Sequence, residues 1–114
     1  MALEFESKLE RSHQKLEIDR KFIDEKIEYA FKLINDAIEG LKYEIETDWI
    51  EPFRLSFWCG DAGMACGLMI SAMEIAEKAG LKHLYIDKWK GFISLWEEFW
   101  KKRDEWVNKF KEKF

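Results

Sequence analysis

Apolar residues recur through the first half of the chain at the spacing of one helical face. Phe5, Leu9, Leu16, Ile23, Ile27, Ala30, Ile34, Ala37, Ile38, Leu41 and Ile45 fall on one stripe of a helical wheel. Within it, 9–16–23 and 27–34–41 step by sevens, which predicts a long neighbouring helix running nearly parallel or antiparallel. Ser12 and Arg20 interrupt the stripe and Asp19 is a candidate cap, so residues up to the first break read either as one helix or as two stacked end to end. Ile18, Phe22, Tyr29 and Leu33 make a second apolar face, so the middle of this helix is expected to meet two surfaces.

Pro52 disfavours helical geometry at Glu51 and suits a first helical turn, which places a tight connection at residues 48–51. The next helix starts there or near Asp61 and ends at Gly80, after a lysine in its last turn. Leu81 to Ile86 is a short connector, and Asp87 is a candidate cap for a last helix reaching almost to Phe114. Breaks near 19, 52 and 87 would give helices of about 40–45 Å at about 1.5 Å per residue. The expected fold is all-α: an antiparallel bundle of three long helices, the first whole or split in two, forming a single domain over residues 1–114 and completed by self-association.

The last helix carries a wide aromatic arc, with Trp89, Phe92, Ile93, Trp96, Phe99, Trp100, Trp106, Val107 and Phe110 on one side. Opposite it, Glu97 with Lys101, Glu98 with Lys102 and Glu105 with Lys109 have the spacing and order of exposed helical ion pairs. Bulky rings need recesses, and the segment Cys59–Met69 is emptied of volume by three glycines, two cysteines and two alanines. Ala62, Ala65, Cys66, Ala72 and Ala76 are therefore expected to let the last helix approach the middle one. Gly63, Gly67 and Ser71 make a further line at four-residue spacing. Glycine in a helix costs about 1 kcal/mol relative to alanine, so this line is expected to lie close against another helix.

Candidate chemistry is thin. Cys59 and Cys66 form no C-x-x-C pair and read as two small apolar side chains. The glycines at 60, 63 and 67 lack the lysine and hydroxyl of a phosphate loop. Glu10-x-x-His13 has the ligand spacing of di-iron bundles, but one copy is half a site, which a symmetric dimer would have to complete. No hydroxyl, histidine and acid arrangement for nucleophilic catalysis is apparent, and no cofactor is implied. Arg103 stands inside the aromatic arc, where it must reach water, stack on a ring or meet an acid.

Charge and composition narrow the classes further. A net charge of -4 is too small to mark a nucleic-acid binder, although the charge runs from -6 over residues 1–51 to +2 over residues 52–114. The charged amino terminus and the short longest apolar run lead to a cytoplasmic expectation, with membrane association not expected. Abundant Glu and Lys with few side-chain amides fit a thermophilic source. The leading expectation is a non-enzymatic interaction or assembly protein, a homodimer with a further protein partner, whose contacts involve Phe22, Tyr29, Leu33, Gly63, Gly67, Ser71, Trp96, Trp100 and Arg103. The alternatives are a metal-binding protein or enzyme using Glu10 and His13 at a subunit interface, and a peripheral membrane or partner-helix binder using the aromatic last helix.

Overall fold

The computed structural model describes residues 2–114, with side chains from Ser7 onward. It consists of α1 (Ala2–Thr47), α2 (Pro52–Lys78), a short 3-10 turn (Lys82–Leu84) and α3 (Ile86–Lys113). The all-α bundle is as the periodicity requires, and among the described residues there is no strand. α1 runs unbroken through Asp19 and Arg20, so the single-helix reading holds. Phe5 lies outside the residues whose side chains are described. α2 starts at Pro52 and not near Asp61, and Asp87 lies within the first turn of α3 instead of capping it.

The helices are not of matched length. α1 has 46 residues against 27 and 28 for α2 and α3. At about 1.5 Å per residue it spans roughly 69 Å, and the others about 40 Å each. The molecule measures 75 × 20 × 16 Å. Residues 7–18 of α1 overhang the bundle and are exposed, and from Arg20, which reaches Tyr85, the helix is part of the bundle. Polar residues interrupt the apolar stripe there without breaking the helix because that part of the stripe faces water.

Both connections close by the same device. Asp48, at φ 58, takes the left-handed position after α1, while the Trp49 amide donates to the Glu44 carbonyl (2.9 Å) and the Asp48 amide to that of Ile45 (3.3 Å). Gly80, at φ 72, does the same after α2, with Leu81 N–H on the Ala76 carbonyl (2.7 Å) and Gly80 N–H on that of Glu77 (3.1 Å).

α2 turns back along α1, and α3 then runs parallel to α1. The tightest pairing is α1 with α2 and the weakest is α2 with α3. This corrects the assignment of the small residues of α2 to the last helix. Ala62, Ala65, Ala72 and Ala76 are buried, but the register fixed by Arg54 on Glu44 sets Ala62 level with Ala37, and Ala65 with Ile34. Small side chains on both α1 and α2 let these two helix axes come together. Ile23, Ile27, Ala30, Leu41, Met69, Phe92, Phe99 and Trp106 complete the core.

Gly40 shows how close that approach is. A Cβ there would lie 2.5 and 2.6 Å from Cε2 and Cη2 of Trp58. Gly40→Ala gains about 1 kcal/mol of helix propensity. It nevertheless forces a held ring to move, and the expected net result is a loss of about 1–3 kcal/mol in a urea titration. A variant as stable as the parent would show the ring to be free.

α3 is fastened to α1 along its length. Phe92 meets Phe31 edge to face, with ring centroids 6.0 Å apart. Lys109 Nζ donates to the Ile45 carbonyl (3.0 Å) and Lys113 Nζ to that of Asp48 (2.9 Å), so two cations sit where the α1 carbonyls run out of partners. The expected ion pairs along α3 are rearranged by this packing. Glu98 faces Lys42 of α1 (3.8 Å), Lys109 faces Asp48 (3.9 Å), and Lys102 pairs with Glu105 (3.2 Å).

Candidate functional site

Two features stand out once the bundle is assembled: a polar corner between α1 and α2, and the outward face of α2. At the corner, Glu44 is fully buried. Its carboxylate accepts a hydrogen bond from Arg54 Nε (2.7 Å) and another from Trp58 Nε1. The Arg54 guanidinium lies over the Trp49 ring, 4.2 Å from its centroid, and Trp49 Nε1 donates to Glu51 (2.7 Å). Each group here is already answered by another, so the corner is a lock on the α1–α2 turn. Both Glu44 and its partners were missed in the sequence. The available signal was the heptad line Leu16, Ile23, Ala30, Ala37, Glu44, which delivers an acid onto an apolar stripe.

The outward face of α2 is apolar and uncovered. Phe53, Phe57, Met64 and Ile70 are 68%, 62%, 53% and 43% exposed. Between them, a Cβ added at Gly60, Gly63 or Gly67 would meet nothing within 4 Å. The line Gly63, Gly67 and half-buried Ser71 therefore does not lie against a helix of the same chain. No helix of this chain supplies the close contact expected for that line: α1 packs on the alanine side of α2, and α3 makes the weaker contact with that helix.

The remaining expected contact residues flank this face. Phe22, Tyr29 and Leu33 share a side of α1 with Gly40, which meets Trp58. Phe22 and Tyr29 are each 49% exposed, and Leu33 is half-buried. On α3, Trp96 is half-buried, stacked 6.4 Å from both Phe92 and Phe99 and edge-on to Trp100 at 5.6 Å. Trp100 remains 39% exposed. Arg103 lies 5.7 Å from the Trp100 ring centroid and pairs with Asp104 (3.1 Å), so it stacks and reaches water, and among the described residues it meets no buried acid on another helix. The structure thus brings Trp96, Trp100 and Arg103 together, and it sets Phe22, Tyr29 and Leu33 on a different helix.

Arg103 also lies near Cys59 of α2. Burial pushes the Cys59 thiol up from its ordinary range, and the Arg103 charge only partly opposes this. A raised thiol pKa leaves little thiolate at neutral pH, which agrees with the reading of Cys59 as a small apolar group. Arg103→Met should leave stability unchanged or slightly higher by thermal melting, because the change retains the apolar stem and strands no buried acid. A loss of several degrees would point to a partner beyond Asp104.

Glu10 and His13 are exposed on the overhang of α1, where among the described residues no third ligand is brought to them. Among the described residues no group of three or more His, Cys, Asp and Glu side chains is placed to hold a metal. α2 is, among the described residues, long and apolar enough to cross a membrane by length and composition alone. Its Arg54 is committed to buried Glu44, and its alanine side is packed on α1. Neither a family model, nor a curated protein, nor a solved structure matches the chain.

Proposed function

We propose that this chain is a non-enzymatic assembly protein that works as a homo-oligomer and uses the outward face of α2 as its contact surface. The observation that carries this reading is the run of apolar side chains Phe53, Phe57, Met64 and Ile70 standing in solvent around three unfilled glycines. Apolar surface concentrated on one element in this way is the usual mark of an interaction site. The opposite side of the same helix supplies the alanines of the core. Between Ala62 and Met73, α2 is therefore free of charged residues on both sides, the pattern of a helix with neighbours on every side. Arg103 lies near Cys59 of α2 with Trp100 beside it, and the two add the aromatic and arginine content common at such contacts.

Light scattering at micromolar concentration should give a mass of twice the 13.7 kDa chain. Phe57→Glu should reduce it to that of one chain with helix content unchanged, because the side chain is exposed and makes only a surface contact with Trp58. A parent protein that scatters as a single chain at that concentration would end the reading.

A further inference from the structure

A groove of about 590 Å³ runs between α1 and α2 on the side away from α3. Gly40, which lines it, is on the opposite side of α1 from Phe31, the residue that meets α3. Its walls are aromatic. Tyr43 of α1 and Phe57 of α2 flank it at 56% and 62% exposure, and half-buried Trp58 lies against Gly40.

Two acids in this groove are unanswered. Asp36 lines it from α1 and Asp61 from α2, and among the described residues neither takes part in an ion pair. The other charged groups there are matched. Glu39 pairs with Lys42 (3.7 Å), and Arg54 is held by fully buried Glu44 (2.7 Å). Lys32, one turn before Asp36, makes no ion pair with it.

We infer that this groove seats a basic segment of another protein, whose lysine or arginine heads meet Asp36 and Asp61 while their stems lie on Phe57 and Tyr43. Any occupant that covers the groove takes water from both carboxylates, and a charge removed from water without a counter-charge opposes binding. An apolar or acidic occupant leaves the two acids stranded; a basic one answers them. The aromatic walls select in the same direction, because ring faces attract cations and the stems of Lys and Arg pack on apolar surface. The neighbouring corner holds such a contact already, with the Arg54 guanidinium 4.2 Å from the Trp49 ring centroid. This partner is additional to the second copy proposed above. The two surfaces share only Phe57.

Isothermal titration of the full chain at low salt with a hexa-arginine peptide, blocked at both ends so that it carries no carboxylate, should give saturable binding. Asp36→Asn with Asp61→Asn should weaken it by about tenfold or more. Glu97→Gln with Glu112→Gln removes the same charge from exposed positions on α3 and should weaken it by less than about twofold, since only the general field changes. Tyr43→Ala should weaken it by about two- to fivefold through loss of a ring contact. Phe57 is left unchanged because it also belongs to the outward face of α2. All five substituted residues are exposed or half-buried, so circular dichroism of each variant should match the parent.

Equal weakening by the two acid pairs would reduce the effect to overall charge and overturn the inference, as would an absence of binding. An uncharged amphipathic peptide of leucine and glutamine that binds where hexa-arginine does not would put an apolar helix in the groove, with the same consequence. So would a fall in light-scattering mass for Asp36→Asn with Asp61→Asn, which would place a second copy there. The mass of the parent protein decides the assembly reading separately.

Discussion

Arg54→Met should lower the unfolding free energy by about 3–5 kcal/mol, because it leaves the Glu44 carboxylate buried without its cation. Glu44 is fully buried and its Arg54 contact is 2.7 Å; Trp58 Nε1 is the remaining donor and carries no full charge. The paired change Glu44→Met with Arg54→Met removes both charges and should recover most of that loss, since apolar residues of similar volume replace buried ion pairs at little cost. Urea titration of the two variants separates a true pair from two independent contributions. A loss under about 1 kcal/mol in the single variant would mean that water reaches the carboxylate. The lock sits at the turn that joins α1 to α2, so its loss should also loosen the end of α2 that carries Phe53 and Phe57.

The second large effect is expected one helix away. Phe99→Ala should cost about 3–5 kcal/mol by leaving a cavity where no neighbour can collapse. Phe99 is 0% exposed and sits between Trp96, at 6.4 Å, and Trp100, at 5.4 Å. Trp100→Ala, at the adjacent position but 39% exposed, should cost about 1 kcal/mol or less in the single chain. The order Phe99 above Trp100 in a denaturation series is the outcome that counts; the reverse would place the core on the wrong side of α3.

Much of the bundle could be read from the chain because its signals are periodic. Ile23, Ile27, Ala30, Ile34 and Leu41 were on the stripe and are in the core, and Pro52 and Gly80 mark helix ends through constraints on their own backbones. The length of α1 was not fixed in advance. An interrupted stripe is compatible with a break or with a helix whose end has no neighbour, and the choice depends on where α2 and α3 stop. Which helix the alanines serve was misjudged for a related reason: small residues announce a close approach without naming the partner, and here α1 contributes Ala30 and Ala37 to meet them. The ion pairs of α3 went elsewhere because Glu98 and Lys109 found partners on α1 that an isolated helix does not offer.

The candidate surface was half legible. Gly63 and Gly67 were recognisable as a line, yet their neighbours Phe53 and Phe57 were not assigned to it, because an outward apolar face becomes visible only when the opposite side of α2 is known to be taken. Glu44 was hidden among the many acids of α1. Position on the heptad line would have singled it out, but its role depends on Arg54 and Trp58 reaching it from the next helix.

The overhang of α1 affects how the molecule moves through water. A body of 75 × 20 Å is nearly four times as long as it is wide, and hydrodynamic drag rises with elongation at fixed mass. A single chain will therefore diffuse and migrate like a compact particle of greater mass. A gel-filtration volume matching a globular protein of two chains is what one rod-shaped chain would also produce. A side-by-side pair sharing the same long axis would be relatively stouter, so doubling the mass should raise the drag by less than the mass ratio suggests.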